Sequence, residues 1–148
     1  MKNTIIHILL ADDDETDRVL FKDAFEELKV KTIVRTVNNG IQLMDYLNKK
    51  GTLLPNILFL DLNMPRKNGL ECLKEIRSND NLKDISVAIY STSSSENDIE
   101  ETFNNGANIY IKKPADFTML KLVLEKAVMA AFQYEEPPFN RANFLLRI

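Results

Sequence analysis

Asp61 closes an apolar run, Ile57-Leu58-Phe59-Leu60, and is followed by Leu62-Asn63-Met64-Pro65 and then Gly69. A run of that kind reads as a strand buried on both faces, so the carboxylate stands at the strand's carboxyl end, where open α/β sheets place their chemistry. Three more apolar runs end in polar groups: Ile8-Leu9-Leu10-Ala11 leads into Asp12-Asp13, Val87-Ala88-Ile89-Tyr90 into Ser91-Thr92, and Ile109-Tyr110-Ile111 into Lys112-Lys113-Pro114. If the first and third strands are neighbours, Asp12, Asp13 and Asp61 converge. Carboxylates that close repel one another and raise their pKa values unless a cation neutralises them. Oxygen-only, partly exposed ligands suit Mg²⁺, with Mn²⁺ as a substitute. A carboxylate held in this way can attack a phosphoryl group and form an acyl phosphate. Asp61 is the best placed nucleophile, Lys113 brings a point charge for the phosphoryl oxygens, and Ser91 brings a hydroxyl donor.

Positioning these groups takes five strands, near residues 5–11, 32–37, 57–61, 86–91 and 109–112, each followed by an amphipathic segment. The helices are expected over 15–28, from Gly40 to near Gly51, from Gly69 onward, over 96–105 and over 117–134. The inward stripes are Val19, Leu20, Ala24, Phe25 and Leu28 on the first helix and Leu43, Met44 and Leu47 on the second. On the third they are Leu70, Leu73 and Ile76, and on the fifth Leu120, Val123, Leu124, Ala127 and Val128. Strict βα alternation predicts an α/β fold: a flavodoxin-like, doubly wound, five-stranded parallel sheet of order 2-1-3-4-5 with five helices.

With 148 residues, 45% of them apolar and 28% charged, the chain is the size of one ordinary globular domain. We divide it into that domain, residues 1–134, and an extension, residues 135–148, too short for a separate output domain. Glu135-Glu136-Pro137-Pro138 stops the last helix, and Phe139, Phe144, Leu145, Leu146 and Ile148 follow. So apolar a tail is expected to pack on its own domain, or else to make a homodimer or partner contact. A net charge of −3 does not suggest a nucleic-acid surface, and nothing after residue 134 makes a helix-turn-helix. No run reaches the roughly 20 apolar residues of a membrane helix and no signal peptide is visible, so a cytoplasmic protein is expected. Cys72, the single cysteine, leaves no internal disulfide or cysteine-rich zinc site and reads as a small core filler.

Taken together, these residues resemble the receiver domain of two-component response regulators, over about residues 5–134. The shared pattern is an acidic pair after the first strand, Asp-x-x-x-Pro-x-x-x-Gly at Asp61, Pro65 and Gly69, a Ser or Thr after the fourth strand, and Lys-Pro after the fifth. The resemblance implies that Asp61 is the phosphoacceptor, that Asp13 ligates Mg²⁺ with Asp12 in support, and that Asn63 contributes its backbone carbonyl. It further implies that Ser91 is the switch hydroxyl and Lys113, rather than Lys112, the phosphate-binding lysine. Tyr110 matches the aromatic whose rotamer follows the switch hydroxyl, with a fixed packing aromatic as the plainer reading. The function implied is that of a single-domain response regulator, not an enzyme, phosphorylated by a sensor histidine kinase or histidine phosphotransfer protein. Leu54-Pro55-Asn56, Leu82-Lys83-Asp84-Ile85, the Ser91-Thr92-Ser93-Ser94 run and the tail are similar to small stand-alone regulators, including those partnered with bacterial phytochromes.

Other readings compete for some of these residues. Asp14 and Thr16 can start the first helix, and Ser93 and Ser94 the fourth. His7, early in the first strand, reads as a satisfied strand residue. An aspartyl phosphatase would need an acid/base two residues after its nucleophile, where this chain has Asn63. A flavodoxin would need a phosphate-holding loop where this chain has three aspartates. A phosphorylation-independent binding module is the alternative function, and it would be expected to lack one or more of the site residues.

Overall fold

The four residues of Ile57–Leu60 are fully buried, as a strand covered on both faces requires, and they form β3 at the middle of the sheet. In the computed structural model, which describes residues 5–133 and 144–146, β1 (Ile6–Ala11), β3, β4 (Ser86–Ser91) and β5 (Ile109–Lys112) are the inner strands. β2 (Thr32–Val37) lies at one edge and is only partly buried. The helices α1 (Glu15–Glu27), α2 (Gly40–Asn48), α3 (Gly69–Ser78), α4 (Glu96–Asn104) and α5 (Phe117–Gln133) alternate with the strands. The order β2-β1-β3-β4-β5 is parallel throughout, as the βα alternation predicts. Among the described residues, no helix is long and apolar enough to cross a membrane.

Register carries the chemistry to one edge. Ala11 pairs with Leu60, so Asp12 and Asp61 leave neighbouring strands side by side, and the Asp61 N–H donates to the Ala11 carbonyl at 3.0 Å. Ser91 pairs with Lys112, and the Lys113 N–H donates to the Ser91 carbonyl at 2.8 Å. One apolar layer beneath the sheet holds Leu43, Met44, Leu47, Cys72, Leu73 and Ile76. The other holds Phe21, Ala24, Phe25, Leu120, Val123, Leu124, Ala127 and Val128.

The stripe on α1 is a correction. Val19 and Leu20 are exposed, and the buried residues are Phe21, Ala24 and Phe25. The physical reason is aromatic packing: the Phe21 ring meets Phe25 and Phe59 at 5.0 Å and Tyr90 at 5.7 Å, which rotates the helix so that Val19 and Leu20 face outward. On α3, Leu70 is half-buried and Cys72 takes a fully buried place, with its thiol pushed up to about 11 by burial. Asp14 caps α1, as one reading had it, but α4 is capped by Ser95 rather than Ser93 or Ser94. His7 lies in β1 with its backbone N–H donating to Asn56 Oδ1 at 2.8 Å, as a strand residue should, but its buried Nδ1 has no hydrogen-bond partner among the described residues.

A sixth strand, β6 (Leu145–Leu146), pairs parallel with β5, with Leu145 opposite Tyr110 and Leu146 opposite Ile111. Phe144 is 2% exposed, its ring 5.2 Å from Phe103 of α4 and 6.0 Å from Tyr110. Residues 134–143 and 147–148, which include Pro137, Pro138, Phe139 and Ile148, lie outside the described residues. Truncating a buried Phe costs about 3–5 kcal/mol when the site cannot collapse. Here the short segment can undock instead, which caps the loss. Phe144→Ala is therefore expected to lose about 1–3 kcal/mol in urea denaturation. An unchanged midpoint would show that the segment does not pack there in solution.

Candidate functional site

The sequence builds the site by ending three strands in charge and closing the mouth with tight loops. After β3, the Asn63 N–H turns back to Asp61 Oδ1 at 3.2 Å, and the Gly69 N–H donates to the Leu62 carbonyl at 3.0 Å. Gly69 is there for space: a Cβ on it would stand 2.3 Å from the Asp61 carbonyl oxygen. After β1, the Asp14 N–H donates to Asp12 Oδ1 at 2.9 Å, while the Arg18 guanidinium donates to the Asp12 carbonyl at 2.9 Å. These bonds fix both buried carboxylates before any ligand arrives.

Asp12 is 0% and Asp61 5% exposed, whereas Asp13 is open to solvent. One oxygen from each of Asp12, Asp13 and Asp61 lies within 4.8 Å of the others, so the expected convergence is present. Lys113 reaches into the same space. Its Nζ is 2.8 Å from Asp12 Oδ2, 2.8 Å from Asp17 Oδ2 and 3.4 Å from Asp61 Oδ2. Lys112, at the end of β5, is exposed. The Lys113 ammonium also stands 5.3 Å from the centre of the Tyr90 ring.

Burial raises the Asp61 carboxyl from 3.8 to about 6, with Lys113 opposing the rise and Asp12 adding to it. Burial also raises Asp12, again against Lys113. Lys113 is raised well above its ordinary value despite burial, because Asp12, Asp17 and Asp61 all favour its charged form. Asp12 Oδ2 accepts no directional hydrogen bond, although the ammonium pairs with it at 2.8 Å. One ammonium thus faces the three carboxylates of Asp12, Asp17 and Asp61, and desolvation raises two of them, Asp12 and Asp61. An oxygen-only donor set with an under-satisfied buried oxygen fits a hard divalent cation.

On the other side of the mouth, Ser91 is fully buried and its Oγ accepts from the Ser93 N–H at 3.1 Å. Tyr110 is 0% exposed, turned inward, and donates its hydroxyl to the Ser93 carbonyl at 2.9 Å. Ser93 Oγ in turn donates to Asp98 Oδ2 at 2.6 Å. Ser93 therefore joins Ser91, Tyr110 and α4 through its own three polar groups. Asn63 is exposed beside Asp61.

Two residues of this arrangement were missed by reasoning on sequence alone. The sequence reading gives Asp17 no role, yet the Asp14 cap makes it the third residue of α1, in the turn that opens at the site. That cap was a readable signal. Ser93 was assigned to a helix start, and no sequence pattern marks a backbone bridge.

Comparison with known proteins places the geometry. The family model described as "Response regulator receiver domain" matches residues 8–125. The probable methanogenesis regulatory protein FilR2 of Methanothrix harundinacea is 33% identical over 122 residues, 80% of this chain and 79% of that protein. The phosphorylated cyanobacterial phytochrome response regulator RcpA superposes with a TM-score of 0.82 at 32% identity, covering 91% of this chain and 99% of that one. The Mn²⁺-bound form of response regulator Rcp1 superposes with a TM-score of 0.76 at 28% identity, covering 88% and 95%.

Proposed function

The chain belongs to the response regulator receiver family, a family of signalling domains, and from that premise we propose that Asp61 accepts a phosphoryl group from a phosphohistidine donor in an Mg²⁺-dependent reaction. An Asp61 oxygen attacks phosphorus, the phosphorus–nitrogen bond of the donor breaks, and its electron pair leaves with the imidazole. The observation that carries this reading is the buried Asp61 carboxylate facing Lys113 at 3.4 Å in a mouth lined by Asp12 and Asp13. Asp12, Asp13, Asp61 and the Asn63 backbone carbonyl would hold Mg²⁺, and the Mn²⁺ of Rcp1 supports that choice. When bound, the ion offsets negative charge on the phosphoryl oxygens.

Lys113 pairs with one phosphoryl oxygen and Ser91 donates to another. Drawing Ser91 toward the phosphoryl group takes its Oγ from the Ser93 N–H, and Ser93 also holds Tyr110 and Asp98. A local charge change thereby biases the face made by α4, β5 and α5, along which the segment 144–146 lies. The donor is a sensor histidine kinase or a histidine phosphotransfer protein, working with this chain in the cytoplasm, and output passes through protein contacts.

Asp13 is the exposed member of the ligand set, so Asp13→Ala removes a ligand while leaving the buried pair in place. Its Mg²⁺ affinity by calorimetry at neutral pH is expected to fall at least tenfold, since even outer-shell partners of metal ligands are worth about 10–100-fold. Unchanged affinity would contradict the ligand assignment. For the acceptor, phosphoramidate supplies a phosphorus–nitrogen donor, and borohydride then reduces the acyl phosphate to homoserine. Peptide mapping should find homoserine at position 61. Homoserine elsewhere would move the acceptor, and none at all would favour the phosphorylation-independent module.

A further inference from the structure

Three carboxylates already claim the Lys113 ammonium: Asp17 and Asp61 accept its hydrogen bonds, and Asp12 pairs with it by charge at 2.8 Å. A phosphoryl oxygen on Asp61 can gain the ammonium only by displacing one of these claims. Asp12 cannot yield easily: its side chain is 0% exposed and tied through Oδ1 to the Asp14 N–H. Asp61 is the group being modified. Asp17 remains. Its side chain is 32% exposed, so water replaces the lost ion pair at small cost, and its 2.8 Å contact is shorter than the 3.4 Å from Lys113 to Asp61.

We propose that Asp17 is a positioning residue of the phosphorylation site, holding the Lys113 ammonium back from Asp61 until a phosphoryl group outcompetes it. The inference rests on Asp61 being the phosphoacceptor. Asp17 is well placed for such a hold. The Asp14 side chain accepts from the Asp17 N–H at 3.0 Å, which fixes the first turn of α1 so that the Asp17 carboxylate spans to the end of β5. Its charge has two effects of opposite sign on ligands. It repels and competes with an anion on Asp61, and it adds to the field that attracts a cation to Asp12, Asp13 and Asp61.

An ordinary first-turn acid that only complements the helix dipole has no such split, so the signs decide. In Asp17→Asn, beryllofluoride, a phosphoryl stand-in titrated at saturating Mg²⁺ and followed by fluorine NMR, is expected to bind about three- to fivefold more tightly. Mg²⁺ alone, by calorimetry, is expected to bind about two- to threefold more weakly. Both changes should shrink as NaCl is raised, and Asp17→Glu should restore both toward wild type. Both affinities unchanged, or both weakened together, would overturn the proposal in favour of a purely structural acid. The nitrogen-15 shift of Lys113 Nζ in the metal-free protein reports the ion pair without any phosphoryl chemistry. A shift in Asp17→Asn supports the hold and no shift overturns it. A wild type that binds Mg²⁺ but no beryllofluoride would instead overturn the phosphoacceptor reading, with the lysine resonance still judging the pair.

Discussion

Asp61→Asn is expected to lose phosphoryl acceptance completely and, in metal-free buffer at pH 7.5, to be more stable than wild type. The loss follows from the chemistry, because an amide oxygen does not form an acyl phosphate under these conditions. The gain follows from desolvation. Burial pushes the Asp61 carboxyl up to about 6 in the fold, from an ordinary 3.8. As pH rises from about 4 to about 6, the unfolded chain gives up this proton while the folded chain keeps it, so the fold loses stability over that window. Above it, the whole cost of a buried ionised carboxylate is present. A shift of that size corresponds to about 2–3 kcal/mol, with Lys113 already counted on the opposing side. For a chain of this length that is on the order of 5–10 °C in melting temperature. The gain should shrink as pH is lowered through 6 toward 4, where both forms of position 61 are neutral. Mg²⁺ should stabilise wild type and do much less for the variant. A variant that melts with or below wild type at pH 7.5, under chelator, would contradict the reading of Asp61 as a desolvated charge.

Gly69→Ala is expected to damage fold and site together. The new Cβ would lie 2.3 Å from the Asp61 carbonyl oxygen and 2.9 Å from the Leu62 Cα. Both neighbours are backbone, so no side-chain rotation relieves the contact. The start of α3 must move away from the end of β3, which breaks the bond from the Gly69 N–H to the Leu62 carbonyl. Forced overpacking costs about 1–3 kcal/mol in a core side chain and more where backbone must shift, so a loss of about 3 kcal/mol or greater is expected in urea. Because Asp61 moves with its own carbonyl, Mg²⁺ affinity should fall in the protein that remains folded. Wild-type stability with wild-type Mg²⁺ binding would mean that the helix does not approach the strand this closely.

The features of the fold and site readable from sequence are those that a short-range pattern encodes. Ile57-Leu58-Phe59-Leu60 has no polar alternation, which identifies a strand covered on both faces, and Asp61 follows it directly. Asp12, Ser91 and Lys113 were readable for the same reason, since βα alternation fixes the sheet order and register then brings strand ends together. On α1, apolar residues at 19, 20, 21, 24 and 25 allow more than one stripe, and only the Phe59 and Tyr90 rings, remote in sequence, select Phe21. Ser93 acts through its backbone as well as its hydroxyl, and backbone partners leave no mark on residue type. Arg77 shows the same limit: its guanidinium donates to the Gly106, Lys83 and Ile85 carbonyls and to Asn108, with no carboxylate among those acceptors to suggest it. Phe144 reads as apolar in a short tail, but its seat between Phe103 and Tyr110 depends on contacts made over more than thirty residues of separation.

The most direct measurement is the intact mass of wild type and Asp61→Asn after incubation with acetyl phosphate and Mg²⁺, each with and without chelator. A single phosphoryl adduct on wild type, absent from the variant and absent with chelator, is the predicted result. An adduct that persists in Asp61→Asn, or a well-folded wild type that takes none from either acetyl phosphate or phosphoramidate, would contradict Asp61 as a metal-assisted phosphoacceptor.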